Sequence, residues 1–274
     1  FIGSRANYSS IKSVMQAIQV HPALELQVVV GASALLKRFG QVNDLIIKDG
    51  FTPNYTFHNI VEGENPTTMA KSTGLGIIEM ATVLDNLKPD FVVVVGDRFE
   101  MMAITIASAY MNIRIAHTMG GEVTGTIDES IRHAITKFSH IHFPASKDAK
   151  ERIIKLGERE EDIYLVGCPR IDLVAEILRY GSGGLEESLL EGVGKNININ
   201  EPFVLVSQHP VTTEYGEGEK QITMTLEAVK KTGLPAIILW PNADAGSEDI
   251  SRGMRKWRER GLDKRMHFYK IVNY

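Results

Sequence analysis

Phe91-Val-Val-Val-Val-Gly-Asp-Arg-Phe-Glu100 decides the fold. Four consecutive valines, Val92 to Val95, can bury on both faces, which suits a central strand of a parallel sheet. Gly96 ends that strand, and Asp97, Arg98 and Glu100 follow before an apolar helix over 100–111. Ligands of open α/β sheets bind outside the carboxyl ends of strands, so Asp97 and Arg98 stand at a predicted site. A second strand, over 114–117, runs into Gly120-Gly-Glu-Val-Thr-Gly-Thr-Ile-Asp-Glu-Ser-Ile-Arg-His133. Two neighbouring strand ends thus bring a cluster of acids, two arginines and a histidine to one edge. That pattern predicts a catalytic site.

Outward from this stretch, short β-rich runs alternate with helical ones. Strands are expected over 26–30, 91–95, 114–117, 140–144, 163–166, 203–207 and 236–240. Helices are expected near 9–20, 34–49, 66–87, 100–111, 128–138, 146–156, 171–178, 219–232 and 249–259, with Pro89 closing the third before the valine strand. Strand–helix alternation with right-handed crossovers predicts an α/β fold with doubly wound parallel sheets. The stretch 179–200 breaks the rhythm with five glycines and a polar Lys195-to-Asn200 run. It is expected to link an N-terminal lobe carrying the acid cluster (1–178) to a partial nucleotide-binding lobe (201–274). Phe1-Ile2 is barely a strand before Gly3-Ser-Arg-Ala-Asn-Tyr-Ser9, and both ends read as clipped.

The 274 residues are 43% hydrophobic and 23% charged, ordinary values for a globular protein. A net charge of −4 gives no support to a nucleic-acid binder. The one cysteine, Cys168, cannot form an internal disulfide and suits a reducing cytoplasm. No run approaches the roughly 20 apolar residues of a membrane span. His140 and His142 alternate on a strand with no cysteine or acid at ligand spacing, so neither a metal site nor a cofactor is expected.

At these motifs the chain resembles the hydrolysing UDP-N-acetylglucosamine 2-epimerases of sialic-acid and legionaminic-acid pathways. The resemblance runs nearly end to end. It rests on Gly3 to Ser9, Gly96 to Glu100, Gly120 to His133, Val166-Gly-Cys-Pro-Arg170, Gln208-His-Pro-Val-Thr-Thr213 and Pro241-Asn-Ala-Asp-Ala-Gly246. It implies two Rossmann-like lobes with UDP in the cleft between them (a GT-B-like arrangement), a homo-oligomer, and a UDP-sugar as the partner. The implied reaction eliminates UDP across C1–C2 to a glycal, then adds water to release the C2-inverted sugar. Elimination needs a base near C2 and cations on the diphosphate, and hydration needs a proton donor. Clustered acids can differ enough in pKa to divide these roles. The resemblance makes Asp97, Asp128 and Glu129 catalytic or sugar-binding carboxylates, with Glu122 and His209 completing the catalytic set. It makes Arg5 and Ser9 UDP-side contacts and Asn242 a uracil-side contact. Arg98 and Arg132 are well shaped for phosphate.

Each residue also has a plainer reading. Asp97 can cap the next helix, Asp128 and Glu129 can complement a helix dipole, and the two arginines can pair with these acids. His133 is left out of the catalytic set. Three features depart from the family: Met119 replaces a glutamate, Val95 replaces a histidine, and the serine-rich phosphate loop would lie beyond Tyr274, leaving the second lobe incomplete. Met119, just past a strand end, is expected to reach the sugar pocket. UDP-N-acetylglucosamine is the leading substrate. A UDP-2,4-diacetamido-2,4,6-trideoxyglucose is the rival, because a thioether suits a more apolar sugar. The readings from other classes are a GT-B glycosyltransferase and an inactive nucleotide-sugar binder.

Overall fold

A computed structural model describes residues 1–181 and 192–269. They form two compact units. The first comprises Phe1–Lys37, Gln41–Val61 and Ala70–Gly181; the second comprises Arg38–Gly40, Glu62–Met69 and residues from 192 on.

In the first unit the helices are α1 (Arg5–Ser9), α2 (Lys12–Val20), α3 (Val42–Lys48), α4 (Pro66–Leu87, which begins in the second unit), α5 (Phe99–Tyr110), α6 (Ile127–Phe138), α7 (Lys147–Lys155) and α8 (Pro169–Tyr180). Strands β1 (Val28–Gly31) and β2 (Pro53–Phe57) pair in parallel, as do β3 (Phe91–Val95), β4 (Arg114–Thr118) and β5 (Ile141–Phe143) in the order β3-β4-β5. The valine strand is buried on both sides, as its composition requires. Val92 and Val94 join a cluster with Met101, Ile104, Ile115 and Ile135. Val93 and Val95 turn the other way, onto Ile2, Tyr8, Val30 and Ile46. Full burial of such a side chain contributes about 1.5–3 kcal/mol. Phe1–Ile2 runs between β1 and β3: Ile2 N donates to Val29 O (2.9 Å) and the Phe1 amine to Val93 O (3.5 Å). A cavity of about 480 Å³ lies at the starts of these strands, lined by Val28, Val29, Leu84, Phe91, Val92 and Val93, away from the carboxyl end that carries Asp97.

The second unit holds a four-stranded sheet in the order β6-β9-β8-β7, from β6 (Val193–Gly194), β7 (Val204–Ser207), β8 (Ala236–Leu239) and β9 (Met266–Tyr269). Helices α9 (Gly218–Thr232) and α10 (Ser247–Glu259) cover it, burying Ile222, Leu226, Ile250, Met254 and Trp257. No described helix is long and apolar enough to cross a membrane.

Several expectations need correction. β2 and β9 were not expected; β2 starts at Pro53 and alternates in burial, and β9 is only four residues long. The strand expected over 163–166 reduces to one bridge, Ile163 to His142, with Tyr164, Leu165 and Val166 exposed. The helix expected over 34–49 is broken by left-handed Gly40 and Gln41 (φ 99° and 44°), leaving 3-10 turns and α3. The linker expected over 179–200 already contains β6, which pairs antiparallel with β9, so the sheet is mixed. Residues 182–191 of that stretch lie outside the described residues.

Candidate active site

The β3 ladder delivers its end to one edge. Gly96 takes a left-handed turn (φ 71°), and its N–H donates to Thr118 O at the end of β4 (3.0 Å). Asp97 follows, and its carboxylate pairs with Arg132 from α6. Arg132 is 3% exposed, and its Nη1 donates to the Glu122 carbonyl at 2.8 Å. One buried guanidinium therefore ties the strand end to the glycine loop. Its Nε has no hydrogen-bond partner among the described residues.

The loop itself is shaped by glycine at one tight point. Gly121 is left-handed (φ 78°), and a Cβ there would collide with the Ala149 carbonyl. Glu122, the next residue, is half-buried, and that burial pushes its carboxyl above the usual range despite the opposing charge of Arg170. Glu129, at the start of α6, has a different task. Its Oε2 accepts from the N–H groups of Thr124 and Gly125 (both 2.8 Å), which hold its carboxyl below the usual range. It closes the loop onto the helix, as an N-terminal acid often does. Asp128 lies in the same first turn, where its N–H donates to Thr126 Oγ1 (3.3 Å).

Arg98 precedes α5, and its Nε donates to Glu100 Oε1 (2.7 Å). Arg5 opens α1, whose N-cap is Ser4. The Ser9 hydroxyl turns back to Ala6 O (3.2 Å), so its hydrogen is directed at its own helix. Met119 has a left-handed backbone (φ 60°) and packs with Val95 against the cluster around Ile2 and Val30. Its side chain is half-buried, with its packed part against that cluster. In the second unit, His209 follows β7 and Asn242 follows β8; Asn242 N donates to His209 Nδ1 (3.2 Å). The structure thus joins Asp97, Arg132 and the Glu122 loop directly, and joins His209 with Asn242 separately.

Sequence reasoning missed three residues. Glu100 is 1% exposed, with no partner for Oε2 among the described residues, and lies against Gly3, where a Cβ would collide with its Cγ. Arg170, set at the start of α8 after Pro169, donates to Ser10 Oγ (2.6 Å from Nη2) and bears on Glu122. His117 is fully buried between the turn and the loop. Only Arg170 and Glu100 carried a signal, each at the edge of a quoted motif.

The family model described as UDP-N-acetylglucosamine 2-epimerase matches residues 16–274. The chain belongs to this family. Among members of the UDP-N-acetylglucosamine 2-epimerase family, it is 31% identical over 257 residues to the UDP-N-acetylglucosamine 2-epimerase of Neisseria meningitidis, covering 93% of this chain and 65% of that protein. It is also 31% identical over 255 residues to a hydrolysing UDP-N,N'-diacetylbacillosamine 2-epimerase of Legionella pneumophila, covering 93% and 66%. The chain thus spans about two thirds of the length of these relatives. The crystal structure of the Neisseria meningitidis 2-epimerase bound to UDP-GlcNAc superposes with a TM-score of 0.78 at 20% identity, covering 100% of this chain and 72% of that one. The GT-B-like α/β fold expected for this epimerase-family chain is the fold it has.

Proposed function

We propose that this chain belongs to a hydrolysing 2-epimerase of a UDP-2-acetamido sugar, converting UDP-N-acetylglucosamine to UDP and N-acetylmannosamine through a glycal. The observation that carries the reading is the pairing of Asp97 with buried Arg132, whose guanidinium also holds the backbone carbonyl of Glu122. Asp97, held in place by the guanidinium, is the candidate base for the C2 proton; Glu122, whose burial favours the neutral carboxyl, is the candidate acid that returns one during hydration. Arg98 and Arg5 supply cationic charge for the departing diphosphate. Glu129, placed in the catalytic set by the resemblance, braces the loop here; Asp128 and His209 stay in that set, and Asn242 is the uracil-side contact. The names of the two relatives support a 2-epimerase, and that of the Legionella protein supports the hydrolysing form. The reading includes the homo-oligomer and the cytoplasmic location expected from the sequence; size-exclusion chromatography and cell fractionation test them.

A second reading has its own observation. The Legionella pneumophila relative is named for UDP-N,N'-diacetylbacillosamine, a UDP-2,4-diacetamido-2,4,6-trideoxyglucose, and its similarity to this chain supports that less polar sugar as the rival substrate. Incubation of the full-length enzyme with each UDP-sugar in D2O, followed by NMR, tests both. Free C2-inverted sugar deuterated at C2 is expected from the preferred substrate. Release of UDP only with an acceptor present would instead support a glycosyltransferase, and binding without release an inactive binder.

A further inference from the structure

His117 is the fourth residue of β4, paired across the ladder with Val94. Its ring is surrounded by the three elements that carry the candidate site. Nε2 lies 2.8 Å from the Gly96 carbonyl, at the turn that presents Asp97. A carbonyl only accepts, so Nε2 holds the hydrogen and Nδ1 presents a lone pair. Nδ1 faces Thr136 Oγ1 on α6 at 3.3 Å, one turn beyond Arg132. Gly120 packs onto the same edge, so closely that a Cβ there would sit 2.9 Å from Nδ1. The ring is fully buried, and burial lowers its pKa to about 4, so it stays neutral at physiological pH.

We propose that His117 is a positioning residue: its Nε2–H fixes the left-handed Gly96 turn, and hence the bearing of Asp97 on Arg132, while its other edge sets the distance to the Gly120 loop. The donor at Nε2 is the essential feature. A mere space-filler at this position could be any apolar side chain, and the hydrogen bond to a turn carbonyl would be lost without consequence for turnover. The inference rests on Asp97 acting in the proposed reaction.

Two variants of the full-length enzyme separate the possibilities. His117→Gln keeps an amide donor at the distance of Nε2, whereas His117→Leu has none. Turnover of the preferred UDP-sugar, UDP affinity by calorimetry and thermal unfolding would be measured on both. Expected is UDP affinity within twofold of the parent for both, kcat down about 10²-fold in the leucine variant, and at least tenfold recovery in the glutamine variant. Turnover near the parent's in the leucine variant, or equal losses in both, would overturn the proposal and leave a packing role. The ¹⁵N resonances of the parent imidazole give a readout that needs no activity: Nε2–H at neutral pH upholds the hydrogen bond, and Nδ1–H overturns it. A parent inactive on every UDP-sugar with the Nε2–H form present would defeat the proposed function and leave the His117 geometry standing.

Discussion

Arg132 reaches Asp97 and the Glu122 loop with one guanidinium, and it does so from a position that is 3% exposed. A buried ion pair is expensive to desolvate and is weak evidence for stability by itself. Its worth here is geometric, because two segments 25 residues apart in sequence are held by opposite ends of one planar group. Breaking it on one side leaves an uncompensated buried charge.

Arg132→Ala is therefore expected to cost about 3–5 kcal/mol of stability, the usual penalty for removing one partner of such a pair. Asp97→Asn keeps the shape and should lose turnover by about 10²–10⁴-fold while UDP affinity is retained. Chemical denaturation and steady-state kinetics read the two effects. Turnover of Asp97→Asn within a few-fold of the parent would remove Asp97 from the chemistry.

Glu122 carries a pH signature. Burial raises its folded pKa, so its contribution to stability is full below the unfolded value and is lost as pH rises through the folded one. As a proton donor it gives an activity limb that falls over the same alkaline direction. Glu122→Gln is expected to abolish that limb and to flatten the stability decline, as measured by kcat and urea midpoints across pH. An unaltered limb would assign it to another group.

Glu129 gives the opposite sign. Backbone N–H groups of Gly125 and Thr124 lower its pKa, so its contribution is present above the unfolded value and lost as pH falls through the folded one. A glutamine carbonyl can still accept from both N–H groups. Glu129→Gln should keep most of the activity and Glu129→Ala should lose it. A glutamine variant as inactive as Asp97→Asn would restore Glu129 to the catalytic set.

Met119→Glu introduces a carboxylate beside Val95 and the apolar cluster around Ile2. Desolvating it is expected to cost on the order of 2 kcal/mol, lowering the melting temperature. Competition between the two UDP-sugars should leave their kcat/KM ratio unchanged. A shift toward UDP-N-acetylglucosamine would show that the side chain reaches the sugar.

The valine strand, the helix over Pro66–Leu87 and the glycine-rich loop were legible because each signal is local: a run of β-branched residues, a proline at each boundary, a cluster of glycines before first-turn acids. β2 and β9 were not, since short strands with few apolar residues are defined by what they pair with. The candidate site divides in the same way. Sequence by itself determined the family, the α/β fold and the segment holding Asp97, Glu122 and Arg132. Only the tertiary structure decided which groups surround them. Glu129 faces two loop N–H groups, Met119 packs half-buried against the core, and His117, unremarkable as one strand residue, lies between a turn carbonyl and α6. A carboxylate's role follows from which dipoles and charges surround it, and those come from residues brought close only when the chain folds.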